Sequence, residues 1–207
     1  MADYVLYGEK RSGSFAIEAL LAEAGAKVQV HWLSLDKNEQ LADEYRKLNP
    51  LGQIPTLVLP GGTVMTESAA MILELCDRFP QLAPKQGTPE RARFYRWLVF
   101  IPANIYAAVS RYDYPERFST DPAHGEAIRA AAKEAIRKDW LIVEREVKGP
   151  YFSGANFTAL DVYIANISRW IVGKEWRAGH CPKIDALAKQ VAARPKIAPV
   201  WAAHFGA

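Results

Sequence analysis

The order of predicted secondary structure in the first part of the chain restricts the fold more than any other sequence feature. Residues 1–80 alternate short runs of β-forming residues with apolar helical repeats, and the predicted order is βαβαββα. Such alternation is typical of an α/β domain built on a central sheet. From Thr88 onward the sequence has no convincing strand pattern, so we predict an all-helical second domain.

Local signals set the predicted boundaries within residues 1–80. Gly25 ends the first helix, the Pro60-Gly61-Gly62 turn predicts a hairpin, and Pro80 ends the last helix. The predicted strands are Tyr4–Tyr7, Val28–Leu35, Thr56–Leu59 and Thr63–Met65, and a polar helix is predicted at Glu39–Leu48.

The second half carries helix-start and helix-break signals. Thr88 precedes a proline and is a predicted N-cap, and Pro102 predicts a kink in the helix that follows. Thr158 and Asp161 stand three residues apart, as in a capping box. The predicted divisions of the chain are a domain at 1–80, a linker at 81–87 and a helical domain at 88–207.

Composition and charge exclude several classes of protein. Of the 207 residues, 50% are hydrophobic and 24% are charged, which is the balance of a globular chain. The net charge of +3 comes without a basic stripe, so we expect no nucleic-acid partner. Neither Cys76 nor Cys181 has another cysteine or histidine at the spacing of a metal site, so we expect no metal. The apolar run at 97–109 is too short to span a bilayer, so we expect no membrane association and a cytoplasmic location.

The stretch LNPLGQIPTLVLPGGTVMTESAA, residues 48–70, holds two candidate binding features. Pro55 cannot donate to a β-ladder, so it belongs at the start of a strand and leaves the backbone of Ile54 free to pair with a bound peptide. An ordinary trans proline at a strand entry explains the same residues. Glu67 and Ser68 stand where a strand meets a helix, and their carboxylate, hydroxyl and helix amides suit both charges of an α-amino-acid group. Simple helix capping is the alternative there.

Taken in order, several motifs resemble the cytosolic glutathione transferase superfamily. They are a serine-containing turn after the first strand, NPLGQIPTL, a Gly-Gly hairpin, TES, and FTALD in the helical half. The resemblance covers essentially the whole chain, and the QIP and TES motifs about a dozen residues apart are its specific part. It implies a thioredoxin-like first domain, an all-α second domain, glutathione as co-substrate and a homodimer.

The resemblance also implies roles for individual residues. It makes Pro55 a cis proline and pairs the backbone of Ile54 with the cysteinyl unit of glutathione. It assigns Glu67 and Ser68 to the γ-glutamyl end and Gln53 to the glycyl side.

The nucleophile in such a reaction is the thiolate, which a hydroxyl donor can stabilise. Three hydroxyls are candidates for this role. They are Tyr7, Ser12 and Ser14; Ser12 is preferred, Tyr7 is next, and Ser14 is expected to cap the first helix. Arg11 stands where serine-type members place their serine, and Gly13 stands where cysteine-type members place cysteine. A positive charge at Lys10 or Arg11 would assist a thiolate, although a solvated loop charge explains either residue.

The expected second substrate is a small, hydrophobic electrophile. The resemblance implies an electrophile site between the thiol and the helical domain, and the residues expected to line it are Asn104, Tyr106 and Tyr112. The sequence therefore predicts a glutathione S-transferase. Two alternatives remain, namely a non-catalytic binding module with this fold and a glutathione-dependent isomerase.

Overall fold

A computed structural model describes residues 3–206, which group into two compact units. One unit contains the chain up to Ala83 together with the segment from Val191 onward, and the other is Pro84–Gln190. The return of the C-terminal segment to the first unit is not indicated by the sequence. It rests on aromatic packing: the ring of Phe15 lies 5.4 Å from that of Trp201 and 5.2 Å from that of His204.

The first unit is built on a mixed sheet in which the strands found among residues 3–206 lie in the order β2-β1-β3-β4. β1 pairs in parallel with β2, whereas β3 runs antiparallel to both β1 and β4. The thioredoxin-like α/β prediction is thereby confirmed. The elements are β1 (Tyr4–Gly8), α1 (Ser14–Ala24), β2 (Val28–Trp32), α2 (Asp43–Arg46), β3 (Thr56–Val58), β4 (Val64–Met65) and α3 (Ser68–Arg78).

The predicted bounds of β1, β3 and β4 differ from the structure by one residue, and two other predictions in this unit are wrong. β2 ends at Trp32, not Leu35, because the amide of Leu35 turns to the carboxylate of Glu9, 3.0 Å away. The helix predicted at Glu39–Leu48 is a 3-10 turn followed by the short α2. The break lies at Ala42, whose backbone is extended at φ −63° and ψ 143°. A weak apolar stripe could not outweigh this local turn.

The second unit is helical, as predicted. Thr88 caps α4 by accepting the Arg91 amide at 3.2 Å, and the helix then widens into a π-helical segment where Pro102 lacks an amide donor.

No helix within residues 3–206 is long and apolar enough to cross a membrane. The remaining elements are α4 (Pro89–Phe100), the π-helix (Ile101–Tyr106), α5 (Ala107–Asp113), α6 (Gly125–Glu146), α7 (Ala159–Ile167), α8 (Lys174–His180), α9 (Pro182–Ala192) and α10 (Ala198–Phe205), the last of which lies in the first unit.

The capping box predicted at Thr158 is present and fully buried at Asp161. The Asp161 carboxylate accepts the Thr158 amide at 2.7 Å and the Phe152 amide at 2.6 Å, so it joins the start of α7 to the preceding loop. Burial raises the pKa of Asp161 to about 6, against the opposing effect of these donors. Its titration therefore falls in a range where folding stability can be measured.

We expect the stability of the wild-type chain, relative to an Asp161→Asn variant, to decrease as pH rises from 4 to 7. The pKa of Asp161 is higher in the folded protein, about 6, than the ordinary 3.8, so its contribution is complete at low pH and is lost through pH 6. The relative loss should be on the order of 2 kcal/mol. Urea unfolding at several pH values measures it. The exposed Asp36→Asn variant is the control, and a wild-type advantage that grows with pH would contradict the prediction.

Candidate functional site

The strand directions bring three separate segments to one edge of the sheet. β1 and β4 both end there, and β3, which is antiparallel to them, begins there, with Tyr7 opposite Thr56 and Met65 opposite Leu57. The loop holding Ser12, the Ile54–Pro55 pair and the start of α3 at Ser68 therefore share this edge. The first unit thus assembles the residues predicted to bind and activate one ligand.

The segment before β3 is held by a buried polar network. Tyr45 donates its hydroxyl to the Gln53 carbonyl at 2.5 Å, and the Asn49 amide group donates to the same carbonyl at 2.8 Å. The Thr56 hydroxyl lies 2.7 Å from the Tyr45 oxygen. Burial raises the pKa of Tyr45, which keeps this hydroxyl protonated as a donor. Sequence reasoning missed Tyr45, Asn49 and Thr56 as supports of this segment.

The network leaves the backbone of Ile54 available. The Ile54–Pro55 peptide bond is cis, as the resemblance implies. Within the described residues, the amide and carbonyl of Ile54 take part in no backbone hydrogen bond, whereas the carbonyl of Gln53 is already occupied by two donors. Ile54 can therefore pair with an extended backbone lying along this edge. The Gln53 side chain is exposed beside it.

The start of α3 has a strained backbone. Glu67 adopts φ 63° and ψ 102°, a conformation that is rare for a residue with a side chain and costs about 1–3 kcal/mol. Its carbonyl accepts the first backbone hydrogen bond of the helix, from the Met71 amide at 3.0 Å. The amides of residues 68–70 therefore lie before the first intrahelical bond. Glu67 is the N-cap residue, and its side chain makes no capping bond. Glu67 is exposed and Ser68 is buried.

The loop after β1 places two serine hydroxyls on one carbonyl oxygen. The hydroxyls of Ser12 and Ser14 lie 2.7 Å and 2.8 Å from the Glu9 carbonyl and 2.9 Å from each other. The Ser14 amide also donates to the Ser12 oxygen at 3.2 Å. The expectation that Ser14 caps α1 is wrong, because the N-cap position is Gly13 and Ser14 turns back to Glu9 instead.

The donors around the Glu9 carbonyl outnumber those it needs, so one hydroxyl can serve another acceptor. Each hydroxyl has one proton, and the Glu9 carbonyl is within reach of both hydroxyls and of the Ser12 amide at 3.4 Å. If Ser12 turns its proton to an outside acceptor, Glu9 keeps the Ser14 hydroxyl and the Ser12 amide. Ser12 can then donate to an incoming anion without leaving the Glu9 carbonyl unsatisfied.

Tyr7 points to the other face of the sheet. Successive residues of a strand face opposite sides, and Ser14 packs against the neighbouring Gly8. The Tyr7 ring instead stacks on His31, with ring centroids 4.9 Å apart, and lies 5.8 Å from the Tyr45 ring. The structure therefore brings Ser12 and Ser14 together and separates Tyr7 from both.

The charged loop residues have different surroundings. Lys10 is exposed, with its ammonium 5.9 Å from the centre of the Trp32 ring. Arg11 has a positive φ of 65° and bonds to the C-terminal helix. The sequence carries no signal for that contact, because its partner stands almost two hundred residues away.

The residues predicted to line an electrophile site belong to the second unit. Asn104 is exposed and donates to the Phe100 carbonyl of its own helix at 3.0 Å. Tyr106 is half-buried with its ring against Trp170, 4.9 Å between centroids, and Tyr112 is half-buried. Their role remains a prediction. The expected core stripe of α4 and the π-helix is confirmed, since Trp97, Leu98 and Ile101 are buried.

Comparison with known proteins decides the family. The model of the glutathione S-transferase N-terminal domain matches residues 14–78. An uncharacterized GST-like protein of Escherichia coli (strain K12), YncG, is 34% identical over 94% of this chain and 95% of its own. The chain belongs to the cytosolic glutathione S-transferase superfamily.

Solved structures agree with this assignment at the level of the fold. A glutathione transferase homologue from Sulfitobacter, with bound glutathione, superposes with a TM-score of 0.88 at 24% identity, covering 97% of each chain. A sphingomonad glutathione S-transferase complexed with glutathione has a TM-score of 0.81 at 25% identity, covering 98% of this chain and 100% of its own. The thioredoxin-like and helical parts are thus those of this superfamily.

We expect a Gly8→Ala substitution to disturb the serine cluster. A Cβ at Gly8 would overlap the Cβ and hydroxyl of Ser14, so the start of α1 must shift. The free energy of unfolding should fall by about 1–3 kcal/mol. Denaturant titration measures it, with Gly179→Ala in α8 as the control because a Cβ there meets open space. Equal stability of the two variants would contradict the proposed contact.

Proposed function

We propose that this superfamily member binds glutathione at the sheet edge and activates its thiol for transfer to a small, hydrophobic electrophile. The observation that carries the proposal is the convergence of the free Ile54 backbone, Glu67 with Ser68, and the Ser12 hydroxyl on one edge. Similar solved structures hold glutathione, which supports the choice of ligand.

Each part of the tripeptide has a suitable partner at this edge. The backbone of the cysteinyl unit pairs with Ile54, in front of Pro55. The ammonium of the γ-glutamyl end lies beside the Glu67 carboxylate, and its carboxylate takes the Ser68 hydroxyl and the first amides of α3. Gln53 lies toward the glycyl end.

Ser12 is the proposed activating residue. A cysteine-like thiol has a pKa near 8.5, so only a few per cent is ionised at neutral pH. A hydroxyl donor at the start of α1, together with the positive end of the helix, stabilises the thiolate, and each pKa unit corresponds to about 1.4 kcal/mol. Ser14 holds the Glu9 carbonyl while Ser12 donates to sulfur. Tyr7, which faces the other side of the sheet, is the second candidate.

The electrophile and the assembly are further parts of the proposal. Asn104, Tyr106 and Tyr112 are proposed to contact the second substrate, and the chain is proposed to act as a cytoplasmic homodimer. A glutathione-binding module without turnover is the competing function. It is favoured by one observation: the Ser12 hydroxyl already has protein partners at 2.7 and 2.9 Å and must turn away from them to reach sulfur.

We expect glutathione to bind with a micromolar-to-millimolar dissociation constant, measured by isothermal titration calorimetry. Glu67→Gln and Ser68→Ala should each weaken binding by about tenfold, because each removes a partner of a charged group. Glu74→Gln, on an outward position of α3, is the matched control and should bind like the wild type. Absence of binding heat for the folded wild-type protein would exclude the proposed ligand.

Turnover should depend on Ser12. We expect Ser12→Ala to lower kcat/KM toward aryl halides, epoxides or isothiocyanates by about 10- to 100-fold while glutathione binding stays within about threefold, because only the thiolate loses a partner. Tyr7→Phe should retain most of the activity. If Tyr7→Phe lost most of the activity and Ser12→Ala retained it, activation would be assigned to Tyr7. No turnover by the wild type with any electrophile would favour the non-catalytic module.

A further inference from the structure

The last helix of the chain makes a direct bond to the loop that carries Ser12. His204 in α10 is fully buried in its side chain, and its Nδ1 accepts the backbone amide of Arg11 at 3.1 Å. The Arg11 guanidinium donates through Nε to the His204 carbonyl at 3.2 Å. Two bonds therefore connect residue 11, directly before Ser12, to a helix 193 positions away in sequence.

The proton on His204 is placed by its neighbours. Because Nδ1 accepts a bond from an amide, it carries no proton, and Nε2 is then the protonated nitrogen of the neutral ring. Nε2 lies 2.8 Å from the Glu18 carboxylate in α1 and donates to it. Phe15 and Trp32 pack against the ring, with centroids 5.2 Å and 5.3 Å away.

This bond meets the loop where its backbone is strained. Arg11 adopts φ 65°, which is unfavourable for a residue with a Cβ and persists only when its surroundings require it. The Nδ1 atom of His204 accepts the amide of this residue, whereas the two serines that follow bond to Glu9. The conformation of the loop thus depends on a contact supplied by the end of the chain.

We propose that His204 is a positioning residue for thiol activation: by accepting the Arg11 amide, it holds the loop so that the Ser12 hydroxyl points at the sulfur of bound glutathione. This inference rests on the proposed function. In this proposal His204 acts through the Arg11 backbone and not through contact with the ligand.

A matched pair of variants separates this bond from simple packing. In His204→Asn, the side-chain oxygen lies near the Nδ1 position and can accept the Arg11 amide, but the contact with Glu18 is lost. In His204→Gln, the amide nitrogen lies near Nε2 and can reach Glu18, but the acceptor for Arg11 is lost. Both variants lose the imidazole ring, so its packing against Phe15 is removed in each.

The measurement is the ultraviolet absorbance of the glutathione thiolate per bound ligand, at one neutral pH and at saturating glutathione. We expect His204→Gln to lower it by about threefold or more, and His204→Asn to restore it to within about 1.5-fold of the wild type. Hydrogen exchange of the Arg11 amide, measured without ligand, should be faster by about tenfold in the Gln variant alone.

A further variant guards against loss of folding at His204. Glu18→Leu leaves the ring in place but removes the acceptor of Nε2–H, so only the Arg11 amide still favours the tautomer that can accept its bond, and the thiolate signal should fall by about twofold. Equal thiolate signals in wild type, His204→Gln and Glu18→Leu would overturn the positioning role while the proposed function stands. If the wild type binds no glutathione, or binds it without any thiolate signal, the proposed function fails and this inference fails with it.

Discussion

The antiparallel pairing of β3 with both β1 and β4 is the constraint on which the candidate site depends. Because β3 runs against its two neighbours, its beginning meets their ends, and segments from three parts of the chain reach one edge. If β3 were parallel, Ile54 would lie at the opposite edge from Ser12 and Ser68. The pairing is secured by the buried Leu6 and Leu57, which stand opposite each other in the register.

Buried and partly buried polar networks then hold the backbone of these segments in place. Tyr45 and Asn49 occupy the Gln53 carbonyl, and the Ile54 backbone has no backbone hydrogen bond among residues 3–206, whereas Ser12 and Ser14 converge on the Glu9 carbonyl. The Gln53 carbonyl is held in place because its displacement would leave buried donors without a partner, whereas the Glu9 carbonyl has a third donor, the Ser12 amide, and keeps two when the Ser12 hydroxyl turns away. The same physical device thus creates both a free backbone for pairing and an adjustable hydroxyl donor.

The sequence predicted those features that depend on neighbouring residues. The hairpin at Gly61-Gly62 and the capping box of Asp161 are local structures with specific residue requirements, and both are present. The predicted helix at Glu39–Leu48 and the predicted cap at Ser14 failed for the opposite reason. In both places the local helix preference is weak. The Glu39 carboxylate accepts the Ser34 amide and the Ser14 hydroxyl donates to the Glu9 carbonyl, and these bonds replace the predicted helical ones.

The amino-acid sequence by itself determined the family, the α/β-then-helical order and the residues whose types suit a zwitterionic peptide. Only the tertiary structure decided which hydroxyls share a cluster, which face Tyr7 takes and which proton His204 carries. These properties depend on contacts between residues far apart along the chain, such as Arg11 with His204. Local sequence patterns do not predict such contacts, because they reflect the conformational preferences of neighbouring residues and not how helices and strands pack against one another.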